Sequence, residues 1–288
     1  MKLVQVSCRV FLPPSGAATG SVRSARGRPG GERRDVRRIR LLSFNTLYNE
    51  DPFPRLRALA EVLADADYDV VCLQELWNPR SYALIRALTR TSYPYAAHGA
   101  RLPLLAGGLL TLSRIPIAGH RFTRLAAGGP FTREALTRKG VLVTRLSVGE
   151  ELLVVANVHL SANLRSDWSK EAPFAEVQRA ELARLAQVVR GQGGAGGTVV
   201  AVGDFNVPRD SWLLEGFAAD SGLRDAFHGD SATTYRPTPR WSGAALDQVL
   251  ATPGLPVAAE LVLRDTVKAS DGWEGHLSDH YGVAATIG

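Results

Sequence analysis

The feature that most constrains the fold is a set of short apolar segments that end in polar side chains. The segment VVAVGDFN, residues 199–206, runs from valines into Asp204 and Asn206. Its apolar part is continuous, which predicts a strand buried on both faces. Side chains alternate along a strand, so Asp204 and Asn206 are expected on one face and Phe205 on the other. A buried strand thus presents an acid and an amide together at its C-terminal end.

Five further segments place Asn, Asp, Glu or His beside an apolar run. They are IRLLSFNT with Asn45, YDVVCLQEL with Glu75, ELLVVANVHL with His159, AALDQVLAT with Asp247, and SDHYGVAATI with Asp279 and His280. Alone, Asn45 reads as a turn residue, Glu75 as an acid at a helix N-terminus and His159 as a structural histidine. Buried strands avoid unpaired polar groups, so the joint pattern predicts a shared functional site.

The order of the segments predicts a layered α/β fold. IRLLSFNT, the amphipathic segment PFPRLRALAEVLADA and YDVVCLQEL give strand, helix and strand in succession. A second helix is expected over 79–89, and two more in EVQRAELARLAQVVR and SWLLEGFAADSG. GGLLTLSRIPI and KGVLVTRLSV add strands. No internal repeat or strong linker interrupts residues 39–288, so we expect one domain there.

The basic surplus of the chain lies in its first 40 residues. They contain ten Lys or Arg and two acids, whereas the remaining 248 residues contain 24 basic and 26 acidic residues, a net charge of −2. The body is therefore near neutral and lacks the charge footprint of a nucleic-acid-binding protein. Residues 1–38 are rich in Gly, Pro, Ser and Arg, which predicts a disordered basic tail.

No apolar run approaches the ~20 residues that span a bilayer, so no transmembrane segment is expected. Arg9 interrupts the run VQVSCRVFL, which weakens a signal-peptide interpretation. Cys72 lies in an apolar run and is expected to pack as a small hydrophobe, without a disulfide to Cys8. The compartment stays open, with the cytoplasm favoured and secretion as the alternative, and the oligomeric state is undetermined.

Six motifs in this order resemble the endonuclease/exonuclease/phosphatase superfamily. They are LLSFNT, VVCLQE, ANVHL, AVGDFN, LDQVL and LSDHYGV, and the resemblance covers about Ile39 to Gly288. It implies an α/β (α+β) fold, a four-layer αββα sandwich of two mixed β-sheets with helices on the outer faces. It also implies an active site at one edge of the sandwich, and hydrolysis of phosphodiesters or phosphomonoesters with Mg²⁺.

The resemblance assigns a role to each polar residue. Glu75 is expected to be the principal metal ligand, with Asn45 assisting through its side-chain oxygen and Asp279 near the metal. Such oxygen donors suit Mg²⁺, for which Mn²⁺ or another divalent ion could substitute. Asp204 would orient and deprotonate the attacking water, and Asn206 would hydrogen-bond the phosphate or the nucleophile.

The remaining roles concern the charge that develops on the phosphate. His280 would contact the phosphate, with Asp247 holding its imidazole, and His159 would supply a second donor. Lys139, in TRKGVLVTRL, resembles the Lys-Gly of the neutral sphingomyelinase branch and would bind phosphate as a point charge. A solvated turn residue is the alternative for Lys139.

Three substrate classes remain open. SRIPI, LEGFAADSGLRDAF and TTYRPTP also resemble the neutral sphingomyelinase branch, which favours a Mg²⁺-dependent phosphodiesterase that cleaves a phospholipid head group at a membrane surface. A nuclease is less favoured, because the body is near neutral and His159 is not typical of the apurinic-site repair branch. A phosphatase acting on inositol phosphates is the third class. A non-enzymatic relative would be expected to lack metal or base residues, and all are present.

The sequence departs from the lipid-cleaving branch in two places. Gln248 follows Asp247 where an aromatic residue or His is more usual. No long apolar hairpin is found, and its nearest candidate, LPLLAGGLL, is expected to enter a core strand instead. Trp168 and Phe174, in the predicted loop after His159, would either contact lipid or cap the core.

Overall fold

The computed structural model describes residues 38–48, 51–101, 104–125, 138–192, 197–239 and 241–288. These residues belong to one compact unit, Val36–Gly288. Residues 1–37, which make up nearly all of the predicted basic tail, lie outside the described residues, as does Leu102 of the LPLLAGGLL segment. Disorder of the tail therefore stays a prediction.

Four helices occur in the described part of the chain. They are α1 (Phe53–Asp65), α2 (Pro79–Thr89), α3 (Pro173–Arg190) and α4 (Trp212–Ser221). Prolines stand in the first turns of α1, α2 and α3, where a missing N–H costs nothing. The side chains of Asn78 and Ser211 cap α2 and α4 by accepting hydrogen bonds from free backbone N–H groups. None of the helices in the described residues is long and apolar enough to cross a membrane.

Most strands belong to two six-stranded sheets. The strands are β1 (Ile39–Asn45), β2 (Val70–Gln74), β3 (Tyr95–Arg101), β4 (Leu104–Ser113), β5 (Ile117–Arg124), β6 (Gly140–Val148), β7 (Glu151–His159), β8 (Thr198–Asp204), β9 (Arg224–Asp225), β10 (Asp247–Ala251), β11 (Val257–Val262), β12 (Val267–Lys268), β13 (Glu274–Gly275) and β14 (Gly282–Ile287). The first sheet has the order β11-β14-β1-β2-β4-β3 and the second β5-β6-β7-β8-β10-β9, while β12 and β13 pair separately. Each large sheet contains one parallel pair, β1 with β2 and β7 with β8, so both sheets are mixed.

Three layers of apolar side chains hold the sheets and helices together. Leu41, Val155 and Val202 belong to the core between the sheets. A second core joins the first sheet to α1 and α2, and a third joins the second sheet to α3 and α4. The predicted four-layer sandwich is therefore confirmed. Cys72 lies in the core between the sheets, where burial raises the pKa of its thiol to about 12.

On β7 and β8, the strand face that points toward the other sheet becomes polar near one rim of the sandwich. On β8, Val200 and Val202 lie in the core between the sheets, and Asp204 follows on the same side. On β7, Leu153 and Val155 are followed in the same way by Asn157 and His159. The apolar core thus gives way to buried polar side chains at the carboxyl ends of these strands, which places the site between the two sheets.

The predicted interior strands are confirmed, but the edges were largely missed. The edge strands of the two large sheets are β3, β5, β9 and β11. Sequence analysis covered only Ile117 of β5 and none of the other three. Exposed and partly buried residues alternate along β11 and mix along β5, so neither segment shows the continuous apolar run that marks an interior strand.

The predicted strand in VVAVGDFN ends earlier than expected. β8 stops at Asp204, and Asn206 has a left-handed φ of 53°. Gly203 is required one residue before the end, because a Cβ there would lie 2.0 Å from the carbonyl oxygen of Val158. Phe205 points into the core beside α3 and α4, as predicted.

Candidate active site

Three predicted site residues form a row across the second sheet. Asp204 of β8 is in register with His159 of β7 on one side and with Asp247 of β10 on the other. All three side chains are buried. His159 Nε2 lies 3.6 Å from Asp204 Oδ2. Strand pairing therefore brings together residues that are far apart in the sequence.

His280 completes this group from the loop before β14. Its Nδ1 is 2.8 Å from Asp247 Oδ2, which also accepts a hydrogen bond of 2.6 Å from the Thr234 hydroxyl. The other ring nitrogen, Nε2, lies 3.8 Å from Asp204 Oδ2. Asp247 thus holds the imidazole as expected, and Thr234, which sequence analysis missed, holds Asp247.

Burial and charge set the protonation of this group. Burial raises the pKa of Asp204 to about 6, although the positive charge of His280 opposes the rise. Burial lowers the pKa of His280, but attraction to Asp247 and Asp204 outweighs it and the pKa rises to about 10. His159 has a pKa well below its ordinary value, because of burial and then the charges of Lys139 and His280. The site therefore combines a charged and a neutral imidazole.

Asn206 is fixed beside Asp204 rather than on the same strand face. Its backbone N–H donates to Asp204 Oδ1 at 2.9 Å, and its side-chain amide donates to the carbonyl of Leu160 at 3.0 Å. Its own carbonyl accepts from Trp168 Nε1 at 3.2 Å and Gln178 Nε2 at 2.7 Å. Trp168 also packs against the core under α3 and α4, as in the core-capping alternative.

Glu75 reaches the site from the first sheet, directly after β2. Its Oε2 accepts a hydrogen bond of 2.6 Å from the Tyr48 N–H, and its Oε1 lies 4.0 Å from His159 Nε2. About 22% of the Glu75 side chain is exposed, whereas Asp204 is almost fully buried. Of these two carboxylates, Glu75 is therefore the one that solvent and a hydrated cation can reach.

Asn45 links the two sheets. Its amide nitrogen donates to Glu75 Oε1 at 3.2 Å and to Asp204 Oδ2 at 2.9 Å. Its oxygen accepts from the Leu47 N–H at 2.9 Å. In this structure the amide nitrogen faces the two carboxylates, where a donor between two acids relieves their repulsion. The expected role of the Asn45 oxygen beside a metal stays a prediction.

Asp279 lies on the open side of the site with two neighbours that sequence analysis missed. The Tyr235 hydroxyl donates to Asp279 Oδ2 at 2.6 Å, and the Tyr235 ring meets the His280 ring edge-on at 5.0 Å. Burial and then this hydrogen bond raise the pKa of Tyr235, which keeps its hydroxyl a donor. Arg55 of α1 interacts electrostatically with both Asp279 and Glu75. The segment TTYRPTP carries part of the family resemblance, but its sequence does not predict a contact for Tyr235.

Lys139 is buried, with 4% of its surface exposed, directly before β6. The alternative of a solvated turn residue is therefore wrong. Its charge opposes the rise in the pKa of Asp204 and adds to the effect of burial in lowering the pKa of His159, so its ammonium group acts on the site. Gln248, in contrast, faces away from the site and accepts a hydrogen bond from Arg209 at 2.9 Å.

A hydrogen bond between the sheets supports the site from below. Gln74 Nε2 donates to Asn157 Oδ1 at 2.9 Å, and the Asn157 amide donates to the carbonyls of Leu73 and Leu110 at 3.2 Å each. Gln74 precedes Glu75, and Asn157 lies two residues before His159. This pair fixes the two sheets relative to each other just below the site, and no sequence pattern identified it.

Three of the eight non-glycine residues with positive φ angles in the described part of the chain lie at the site. Leu47, Glu75 and Asn206 have positive φ angles of 56°, 65° and 53°. For residues with a Cβ this conformation costs about 1–3 kcal/mol each, and surrounding contacts must hold it. Two hydrogen bonds accompany the strain at Leu47 and Glu75. The Leu47 N–H donates to the Asn45 side chain, and the Tyr48 N–H donates to the Glu75 carboxylate.

The carboxylate oxygen atoms of Glu75 and Asp279 are hard donors, which fit a cation such as Mg²⁺. Neither ring nitrogen of the buried His159 has a well-directed hydrogen-bond partner in the described residues, although the Gly107 backbone lies near enough to raise its pKa slightly. An unpaired buried nitrogen beside two carboxylates fits a site built for a further group.

A second set of possible ligands lies deeper. Donor atoms of Asp204, Asp247 and His280 all lie within 4.8 Å of one another. His280 Nδ1 and Asp247 Oδ2 are already hydrogen-bonded to each other, and all three residues are buried. This set is better suited to proton transfer than to a hydrated cation, which retains several waters.

Two similar proteins carry functional names. Inositol phosphosphingolipids phospholipase C of Saccharomyces cerevisiae is 26% identical over 240 residues, which cover 70% of this chain and 49% of that protein. Sphingomyelin phosphodiesterase 2 of Homo sapiens is 27% identical over 186 residues, which cover 60% of this chain and 41% of that protein. The matches thus span less than half the length of either relative.

Solved structures share the fold. Sphingomyelinase C from Streptomyces griseocarneus has a TM-score of 0.67 and 21% identity, covering 87% of this chain and 99% of that one. A beta toxin mutant from Staphylococcus aureus, solved with bound magnesium ions, has a TM-score of 0.70 and 17% identity, covering 86% and 98%. At these identities the likeness shows the fold alone.

The sequence motifs, the two-sheet sandwich and the site between its sheets agree with a match along most of the chain. The family model described as "Endonuclease/Exonuclease/phosphatase family" matches residues 42–280, a range that includes every predicted site residue. The chain therefore belongs to the endonuclease/exonuclease/phosphatase family.

Proposed function

We propose that this chain is a Mg²⁺-dependent phosphodiester hydrolase that cleaves the head group from a phosphosphingolipid. The observation that carries the proposal is the meeting of Glu75, Asp204 and His280 from separate segments at one rim. Asn45 contacts both Glu75 and Asp204, and Asp204 lies near both site histidines. Membership of a family named for phosphoester-cleaving enzymes supports the reaction class.

Asp204 is the general base. It is buried beside both imidazoles, and a pKa of about 6 suits a group that is deprotonated near neutral pH and can accept a proton. It takes a proton from a water as the water oxygen bonds to phosphorus. The bond from phosphorus to the lipid oxygen breaks, and the lipid alkoxide takes a proton from solvent, which releases the phosphorylated head group.

Three donors stabilise the negative charge that develops on the phosphate oxygens. His280, charged because of its carboxylate partners, donates through Nε2. His159, kept neutral by burial, supplies a second donor at the same row. Lys139 adds a buried positive charge nearby. Preorganised donors of this kind are often the largest single contribution to catalysis.

Glu75 would be the principal ligand for Mg²⁺ with Asp279 assisting, and the Asn45 amide nitrogen would hold Glu75 in place. A bound cation would neutralise phosphate charge as a Lewis acid. Tyr235 fixes Asp279 by a hydrogen bond, and Tyr48 fixes Glu75 through its backbone N–H. The exposure of Glu75 suits a cation that keeps part of its water shell.

The substrate class is inferred from the relatives and the charge distribution. Both similar proteins reported above are named for phosphosphingolipid cleavage. The chain beyond residue 40 has a net charge of −2, which does not favour tight binding of a nucleic acid. A sphingolipid presents one phosphodiester at a membrane surface and needs no extended basic groove.

The proposal is tested with an activity panel run in Mg²⁺ and in EDTA. The substrates are vesicles of sphingomyelin or inositol phosphoceramide, plasmid DNA and soluble inositol phosphates. We expect release of a phosphorylated head group from one sphingolipid in Mg²⁺, none in EDTA, and none from Asp204→Asn. Plasmid nicking or phosphate release that depends on Asp204, without head-group release, would overturn the substrate assignment.

A further inference from the structure

A cavity lies at the edges of the two sheets, and none of the predicted site residues lines it. It has a volume of about 410 Å³ and is located where edge strands β3 and β5 approach each other. Five basic residues line it, together with Phe122: His98, His120, Arg121, Arg124 and Arg138. We call these five residues the edge cluster.

Arg124 of the edge cluster is on the same rim as the row formed by His159, Asp204 and Asp247, which we call the catalytic row. Arg124 of β5 is in register with Gly140 of β6, which is in register with His159 of β7. Neighbouring strands lie about 4.8 Å apart, so the Arg124 backbone is roughly 10 Å from His159 and one strand further from Asp204. Arg138 is the residue before Lys139. The cavity therefore opens beside the candidate active site.

The cavity is positively charged. Among the described residues that line it, none is acidic. Its charge comes from Arg121, Arg124 and Arg138, since burial and then repulsion from His120 lower the pKa of His98 and favour its neutral form. His98 Nδ1 is buried without a hydrogen-bond partner in the described residues. A pocket with clustered cations, no lining acid and an unpaired polar atom fits an anion.

Apolar side chains on the same rim favour a lipid as the source of that anion. Tyr48 is 51% exposed next to Glu75, and Leu164 is 63% exposed in the loop after β7. An aromatic and an aliphatic side chain at this level would enter the interface of a bilayer, while arginines contact its phosphates.

We propose that the edge cluster is an anion subsite that binds the phosphate of an anionic phospholipid next to the substrate. The inference adds to the proposed function, on which it rests for the lipid surface. Its position about two strands from His159 would hold a neighbouring lipid while the scissile phosphodiester occupies the catalytic row. A free phosphate compound shares this chemistry and is distinguished by the experiment.

Vesicle binding by the 288-residue chain provides the first test. Phosphatidylcholine vesicles with or without phosphatidylserine are used in EDTA, so that no turnover is needed and failure of the proposed hydrolysis does not affect the result. The variant is Arg121→Gln/Arg124→Gln/Arg138→Gln. The control, Arg57→Gln/Arg80→Gln/Arg184→Gln, changes net charge equally on the exposed surfaces of α1, α2 and α3. Both variants keep residues 1–37, so any contribution of the basic segment is common.

We expect the edge-cluster variant to lose at least ~5-fold in binding to phosphatidylserine vesicles, and the control to retain wild-type binding. Equal behaviour of the two variants would overturn the proposal. So would edge-cluster-dependent binding of single-stranded DNA without a preference for phosphatidylserine.

Chemical protection identifies the source of the anion. Arginines of the wild-type protein are modified with phenylglyoxal and located by mass spectrometry, with phosphatidylserine vesicles or inorganic phosphate as the probe. Protection of Arg121, Arg124 and Arg138 by vesicles supports a lipid. Protection only by inorganic phosphate would assign the subsite to a free phosphate and overturn the lipid. No protection by either would overturn the subsite itself.

Discussion

The candidate active site has a buried half and an open half, and they differ in what their carboxylates can do. The buried half, Asp204, Asp247 and His280, is enclosed between strands of the second sheet and the loop before β14. The open half, Glu75 and Asp279, is partly exposed. Burial shifts the pKa of Asp204 and suits proton transfer, whereas exposure suits a hydrated cation. The same chemical group thus serves two purposes because of its surroundings.

The largest expected effect comes from the buried half. Asp204→Asn keeps the size of the side chain and removes the base, so we expect kcat to fall at least ~100-fold with no change in the Mg²⁺ concentration needed. Circular dichroism and thermal melting should show a folded protein. Full activity in this variant would contradict the role of Asp204 as the base, and with it the functional difference between the buried and open halves.

Glu75→Gln tests the open half. It removes a negative charge from the proposed cation ligand, so we expect the half-saturating Mg²⁺ concentration to rise ~10–100-fold, with part of kcat recovered at high Mg²⁺. Activity is titrated against Mg²⁺ after EDTA treatment. A drop in kcat that no Mg²⁺ concentration relieves would place Glu75 with the proton-transfer group instead.

Tyr235→Phe sharpens the comparison, because Tyr235 contacts both halves. It deletes the hydrogen bond to Asp279 but keeps the ring against His280. We expect the half-saturating Mg²⁺ concentration to rise about 10-fold, with little change in kcat at saturating Mg²⁺. The reverse pattern, an unchanged Mg²⁺ titration with a lower kcat, would show that Tyr235 acts on His280.

Asn157→Leu separates support of the site from its chemistry. It removes the hydrogen bond from Gln74 and leaves that amide and the Leu73 and Leu110 carbonyls without this partner. We expect a loss of about 1–3 kcal/mol in the free energy of unfolding, measured by urea denaturation. Equal stability of Asn157→Leu and the wild type would show that this contact does not hold the sheets.

Edge strands and interior strands were predicted with unequal success, and the reason is physical. Interior strands such as β2 and β8 are buried on both faces, so their apolar runs stand out in the sequence. Edge strands such as β5 and β11 are partly solvated, and their exposed and partly buried residues resemble loop sequence. The predicted site residues stand out in the sequence because they lie at the ends of interior strands or directly beside them.

The supporting residues could not be identified in the same way. Thr234, Tyr235, Arg55 and Gln74 act through contacts to residues distant in the chain, such as the 44 positions between Tyr235 and Asp279. No local pattern distinguishes a tyrosine that holds a carboxylate from one in an ordinary loop. The orientation of the Asn45 amide likewise depends on two acids brought to it by folding.

The sequence by itself determined the interior strands, the helices and the polar residues at the strand ends, because periodicity and apolar runs are local properties. Only the tertiary structure decided which carboxylate is buried and which is open, which neighbours hold them, and that a cavity lined by arginines lies beside the candidate active site. Burial and electrostatic surroundings depend on strand order and register, and these are set by packing across the whole sandwich.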